Sequence, residues 1–523
     1  MVNLGVVEMK RTLVFALAMA SVVVNAHAAD TNPPASNFPF QLSPANFKDP
    51  LPDSLTFWGI TFYATLDLGY AYQTNGRPLG NVVSGLEFVP FTTTRNYTGQ
   101  HISTIAHSGL EQSKIGMKFD IPVGLGWAAV GRADTGVDPL TGRLSDGCSS
   151  FIQNAGVPYS QQTANADSGR CGQTFNGQLY GGLSNKQFGT LTVGRQNSFE
   201  LDGIATYDPM GLSYAFSLLG YSGTDAGIGS TQAARWDRSA KYVYEYGPIV
   251  AGLMYGSGGP GTGMFGQGYG AMIGGFYGGF SAEALYEKEH GAVNLQSSVN
   301  DAFGSQTLAG NIADNSAWSV MAKYTFEFGR VPVSDLPTKA PKAEVPGDKL
   351  TFYAGYTNLT QANPNSPVLF GQAAGGYPLT VSTTAPILPD NNAFTTNRVL
   401  QIYWTGVKYE FAWGLNLVGA YYHVTQNSFV ADNAACVLGG ASKSNCAGSY
   451  DQVSFLADYF FSKHLDLYAG ITYAKVQNGL ASGFPGTPGA KASFPGFPGS
   501  GPFAGTGTSV DTVSAMTGFR IRI

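Results

Sequence analysis

The chain has 523 residues, of which 13% are aromatic and only 12% charged, with 69 glycines and a formal net charge of −5. An ordinary soluble domain carries about 25% charged residues, so a secreted globule is a poor fit, and so weak an acidic balance argues against nucleic acid as a partner. Beyond the N-terminal region no run of roughly 18 apolar residues occurs, which excludes a spanning helix there and leaves strands as the route across a bilayer.

The chain opens with Met9, Lys10 and Arg11, an apolar run over 12–24, and Ala26-His27-Ala28. That order is expected of a secretory signal peptide, residues 1–28, whose apolar run is too short to cross a membrane. Residues 29–54 are rich in Pro and Asn and are expected to form an irregular leader, with residues 55–523 as the barrel. The first predicted strand, 55–72, alternates. Trp58, Ile60, Phe62, Ala64, Leu66, Leu68 and Tyr70 point one way, and Thr61, Tyr63, Thr65 and Asp67 the other. A period of two with large apolar residues on one face is what a lipid-facing strand requires. A polar loop over 73–112 leads to a second strand, 113–121, where Ile115, Met117 and Phe119 oppose Lys114, Gly116, Lys118 and Asp120. A third strand, after the turn at 122–126, turns Arg132 and Asp134 inward.

The next stretch organises the rest. Residues 175–196 read as a hairpin, FNGQLYGGLSN turning at KQFG and returning as GTLTVGRQ, with Leu179, Gly181 and Leu183 on one face. A long loop, 196–234, follows. It holds Glu200, Asp202, Asp208 and Asp225 and no Lys or Arg, and the strand after it places Arg235 and Lys241 on one face by parity.

In its wording this stretch resembles the Gram-negative general porins. The resemblance lies in Tyr180–Ser184, in Phe188–Gln196, and in Arg235 through Ser239 to Tyr242, where Asp237 and Arg238 replace an Asn pair of the family pattern. The opening strand, FYATLDLG, is similar to the porin opening strand as well. The resemblance implies an outer-membrane barrel, a homotrimer, and a third loop folded into the lumen. It also implies a basic wall facing that loop, carried here by Lys114, Arg195 and Arg235. A further basic position of the family falls on Gly177 in this chain, and the terminal Phe of the family falls on Ile523.

Ten more strands follow, the last of them VDTVSAMTGFRIRI, which turns Arg520 and Arg522 inward. The reading is an all-β transmembrane antiparallel barrel of sixteen strands, with short turns at one end and long loops at the other. Closure is required because an open edge in hydrocarbon would leave backbone groups unpaired at several kcal/mol each. Two segments stand apart: the proline-rich 329–348, long for a turn, and the low-complexity 479–508. Cys148, Cys171, Cys436 and Cys446 permit three pairings. Their placement in two loops of an exported chain favours disulfides Cys148–Cys171 and Cys436–Cys446. No metal or cofactor is expected.

The expected site is a constriction in which Glu200, Asp202 and Asp208 face Lys114, Lys118, Arg132, Arg195, Arg235, Arg520 and Arg522. Two unit charges about 10 Å apart interact by roughly 0.4 kcal/mol in bulk water, enough to bias ions and orient dipoles but not to bind tightly. The expected function is an outer-membrane porin for passive diffusion of small hydrophilic solutes and ions. A substrate-specific channel is the alternative. An outer-membrane enzyme is a distant third, because His101 and Ser103 sit in a predicted loop with no orienting partner.

Overall fold

The computed structural model describes residues 55–74, 102–140, 142–144, 174–220, 234–258, 267–296, 308–328, 331–332, 344–345, 347–362, 377–381, 388–389, 396–428, 447–478 and 509–523. The expected signal peptide 1–28, the leader 29–54, His101, the four cysteines, Asp225 and the low-complexity 479–508 lie outside these residues.

Sixteen strands close into one antiparallel barrel. The first five are β1 (Ile60–Gln73), β2 (Lys114–Gly124), β3 (Trp127–Asp138), β4 (Leu179–Asn185) and β5 (Gly189–Asn197). Then come β6 (Arg235–Tyr246), β7 (Ile249–Ser257), β8 (Gln267–Tyr277), β9 (Phe280–Gln296), β10 (Leu308–Phe328) and β11 (Asp348–Ala362). The circuit ends with β12 (Arg398–Glu410), β13 (Leu415–Gln426), β14 (Gly448–Phe460), β15 (Leu465–Asn478) and β16 (Ser509–Arg522). Each strand pairs with its neighbour in sequence. Between β16 and β1, Arg522 sits opposite Thr65 and Ser514 opposite Gln73, which removes the open edge.

The alternation read from the sequence holds along the wall. On β1, Phe62, Tyr70 and Tyr72 are 48%, 52% and 39% exposed, whereas Tyr63 and Asp67 are 5% and 0%. The outer face is apolar, and its aromatic rings gather in two tiers on β9–β14. Trp318, Tyr356 and Tyr403 form one tier, with ring centroids 5.0 and 4.8 Å apart. Tyr324 with Phe326, Tyr409 with Phe411, and Tyr459 with Phe461 form the other, at 4.5, 4.6 and 4.7 Å. Two such girdles mark the levels where amphipathic rings meet the membrane interfaces.

Three local differences from the sequence reading have physical causes. The first strand starts at Ile60 rather than 55, because Trp58 and Gly59 take positive φ angles of 50° and 78° and fold Thr56–Phe57 back against Ile60 and Thr61. In the predicted polar loop, Ile102–His107 is a strand paired to the upper half of β1. Residues 108–113 then bulge between it and β2, held by the Asp67 carboxylate, which accepts the amides of Leu110 and Glu111 at 2.8 and 2.9 Å. Within 329–348, Val331–Pro332 pairs with Glu344–Val345, so part of that long connection is a small hairpin.

Candidate pore constriction

The strand β5 leads into a helix, α1 (Phe199–Tyr207), started by Ser198, whose Oγ accepts the Leu201 amide at 3.1 Å. A second cap comes from across the barrel: Glu287 Oε1 of β9 accepts the Phe199 amide at 2.6 Å. A carboxyl oxygen at a helix N-terminus satisfies an orphan amide.

From there residues 198–219 run along the inner wall, touching strand after strand. Glu200 Oε1 accepts from Ser319 Oγ of β10 at 3.2 Å, and the Trp404 indole of β12 donates to the Tyr207 carbonyl at 3.1 Å. The Tyr422 hydroxyl of β13 donates to Asp208 Oδ1 at 2.6 Å, and Gln452 of β14 donates to the Phe216 carbonyl at 2.9 Å. The far end reaches the bulge before β2, where the Ala215 amide donates to the Gly109 carbonyl and Tyr214 to Gln112.

Apolar packing is the larger force. Phe199, Leu201, Ile204, Tyr207, Leu212 and Phe216 are each at most 2% exposed, against wall residues such as Trp404, Met321 and Tyr422. Burying one such side chain contributes about 1.5–3 kcal/mol, which exceeds what a charge could gain across water. Three inward-facing wall glycines act as sockets. A Cβ on Gly252 of β7 would come within 2.6 Å of Phe199, one on Gly406 of β12 within 2.5 Å of Pro209, and one on Gly470 of β15 within 2.5 Å of Phe216.

This packing sorts the three expected loop carboxylates. Glu200 and Asp208 are 1% and 3% exposed and lie against the wall, not across an open gap. Burial lifts the Asp208 carboxyl above its usual range, against the opposing pull of the Tyr422 hydroxyl and of the amides of Leu212 and Met210. Asp202 keeps a 15% exposed side chain, and its Oδ2 lies 2.5 Å from Lys241 Nζ of β6. Among residues 198–219, Asp202, Thr206 and Gly211 alone are more than marginally exposed.

The expected cations of the wall are largely brought together, and they are interleaved with carboxylates. Lys114 Nζ lies 2.6 Å from Glu111, and Arg132 Nε 2.6 Å from Asp134. Tyr63 stands beside both cations, at 6.0 and 5.2 Å from its ring centre, and its hydroxyl donates to Asp134. Arg235, 2% exposed, lies within electrostatic reach of Asp134. Arg520 Nη2 is 2.7 Å from Asp466 and its Nη1 3.4 Å from Glu111, and Arg522 is 3.6 Å from Asp466. Lys118 shares the inward face of β2 with Lys114.

Arg195 stands apart from this group. A register shift next to it points its guanidinium at the carbonyls of Asn176 and Gly177 and at Asp237, 2.9 Å away and 57% exposed. Gly177, where the family pattern has a cation, has its side-chain space filled by the Asp134 carboxylate.

Sequence reasoning missed Glu111, Asp466, Glu283 and Glu287 as members of this site. Glu283 and Glu287 had a readable signal, alternation with Ser281 and Leu285 against Ala282, Ala284 and Tyr286 on β9. Glu111 had none, since it sits in the irregular bulge.

A closed sixteen-strand barrel with an apolar girdled exterior, charged inner walls and a loop fastened inside defines an outer-membrane channel. The family model of the Gram-negative porins matches residues 13–479, and the chain belongs to that family. It is an outer-membrane channel for passive diffusion.

Among solved structures, the anion-selective porin from Comamonas acidovorans is similar at TM-score 0.50 and 13% identity, over 89% of this chain and 99% of that one. OmpT of Vibrio cholerae follows at TM-score 0.47 and 14% identity, over 90% and 100%. OmpF of Salmonella typhi in complex with daunomycin aligns at TM-score 0.43 and 13% identity, over 89% and 97%. At 13% identity the likeness to the Comamonas porin speaks to the fold alone. No curated protein sequence matches the chain.

Proposed function

We propose that the channel passes small hydrophilic solutes and ions down their gradients and sorts them weakly by size and charge at the level of the inner loop. The observation that carries this reading is the fastening of residues 198–219 to the inner wall, which narrows the barrel at one level. Family and fold favour a channel over an enzyme. Charge selection is weak by design, because cations such as Lys114, Arg132 and Arg520 each have a carboxylate within 2.7 Å. Paired charges leave a field that fades within a Debye length, about 8 Å at physiological salt.

We further propose a homotrimer, as the family resemblance implies, seated in outer-membrane lipid. The outer face of β2–β5 supports it. Ile115, Leu179, Leu183, Leu191 and Val193 stand there, 47–58% exposed, in place of the dense rings of β9–β14. A flat aliphatic sector suits a second copy of the chain, whereas ring-rich tiers suit lipid.

Purified protein in liposomes tests the reading. Swelling in small sugars that falls off with solute size, together with stepwise conductance in planar bilayers, is expected. Solute-independent swelling or an absence of conductance steps would contradict it.

A further inference from the structure

The bulge at residues 108–113 is shaped by one residue, Asp67 of β1, and every polar group of Asp67 takes part. Its amide donates to Ser113 Oγ at 3.0 Å and its carbonyl accepts the Ser108 amide at 2.9 Å, which ties down both ends of the bulge. Its Oδ2 accepts the amides of Leu110 and Glu111 in the middle. Its Oδ1 accepts from the Tyr468 hydroxyl of β15 at 2.7 Å. Asp67, Ser108 and Ser113 are each at most 1% exposed. Ser108 takes a φ of 61°, a left-handed conformation that a residue other than glycine holds only where its surroundings fix it.

Both groups that Asp67 fixes also touch the far end of the inner loop. On the bulge, the Gly109 carbonyl accepts the Ala215 amide at 3.0 Å, and Gln112 Oε1 accepts from the Tyr214 hydroxyl at 3.1 Å. On β15, the Tyr468 ring meets Phe216 edge-on, with centroids 6.3 Å apart and planes at 81°. Bulge and β15 meet again at Gly109, where an added Cβ would run into the Tyr468 hydroxyl and Met516 of β16. Among the described residues, Asp67 itself makes no hydrogen bond to 198–219.

Asp67 therefore stands one residue removed from three consecutive contacts, those of Tyr214, Ala215 and Phe216. A buried carboxyl group with all its bonds made rigidifies what it binds, because each broken bond would leave an unpaired group in a dry site. The head of the loop is held separately, by Ser198 and Glu287 at the start of α1.

We infer that Asp67 is the positioning residue for the far end of the inner loop, acting through the bulge and through Tyr468, and that it sets how steadily the channel is narrowed there. The effect on current rests on the channel reading above; the effect on the loop does not.

The test is amide hydrogen exchange of the full-length protein in detergent, read over 213–217 and over 199–204, with single-channel records of the same samples. Asp67→Ala is expected to speed exchange over 213–217 by about tenfold and to leave 199–204 within about twofold of the parent. Gly109→Ala, which crowds Tyr468 from the other side of the bulge, is expected to free the same segment with Asp67 in place. Both variants are expected to add fluctuation to the open-channel current.

Parent-like exchange over 213–217 in both variants, or an equal rise at both ends of the loop, would overturn the assignment. Should Asp67→Ala fail to assemble, as judged by heat-dependent migration in detergent gels, Gly109→Ala decides by the same criterion. Faster exchange at the far end alone, in a protein whose parent shows no conductance steps, would uphold the positioning role and count against the channel reading.

Discussion

At the scale of single residues, the site shows that an inward carboxylate has one of two jobs. Asp202 meets water, and Glu287 meets a helix end. The Glu287 carboxylate is 0% exposed and holds the first amide of α1 at 2.6 Å, so it anchors the inner loop where that loop leaves the wall of β5. Removing the acceptor would leave a buried helix amide unpaired, at about 1–3 kcal/mol. Glu287→Ala is therefore expected to loosen the head of the loop without unfolding the barrel. Single-channel records of that variant should show added current fluctuation at unchanged heat stability of the folded barrel in detergent gels. A quiet trace like that of the parent protein would mean that the apolar sockets hold the loop without the cap.

At the scale of elements, the inner loop is an apolar insert with a few carboxylates, whereas its sequence first draws the eye to acid. The stretch from Phe199 to Leu219 carries Leu201, Ile204, Tyr207, Met210, Leu212, Phe216 and Leu218, all at most 5% exposed. Its partners are the glycine sockets, which a side chain would fill. Gly406→Val is expected to push Pro209 off β12, because overpacking at a seat this tight costs about 1–3 kcal/mol. Amide hydrogen exchange over 207–213 reports this directly: faster exchange in the variant is expected, and equal exchange would contradict the socket.

Much of the barrel was legible because period-two alternation is imposed by lipid on one side and water on the other, as β1 and β16 show strand by strand. The sockets were not legible. A glycine at an inward position looks the same in sequence whether it faces water or a phenylalanine ring. Nor could alternation orient Arg195, since the bulge beside it breaks the register on which parity depends. The bulge that carries Glu111 was hidden for a related reason: its amides are held by Asp67, more than forty positions earlier in the chain.

At the scale of the molecule, the barrel supplies the frame of the channel, and residues 198–219 are fastened along its inner wall. Backbone pairing closes the circuit from β16 to β1, and the tiers of rings on β9–β14 set its height in the membrane. The aliphatic sector on β2–β5 is the face proposed above to meet neighbouring copies. The charged network of β1–β3 and β16 lies on the strands of that same side, so the contacts between copies would brace the wall that faces the inner loop. In the function proposed here, size selection follows from the loop. The measurement that bears most directly on this account is single-channel conductance after residues 199–219 are replaced by a short Gly-Ser linker. With the narrowest section removed, conductance is expected to rise severalfold while the barrel still assembles; an unchanged conductance would contradict the placement of that loop as the constriction.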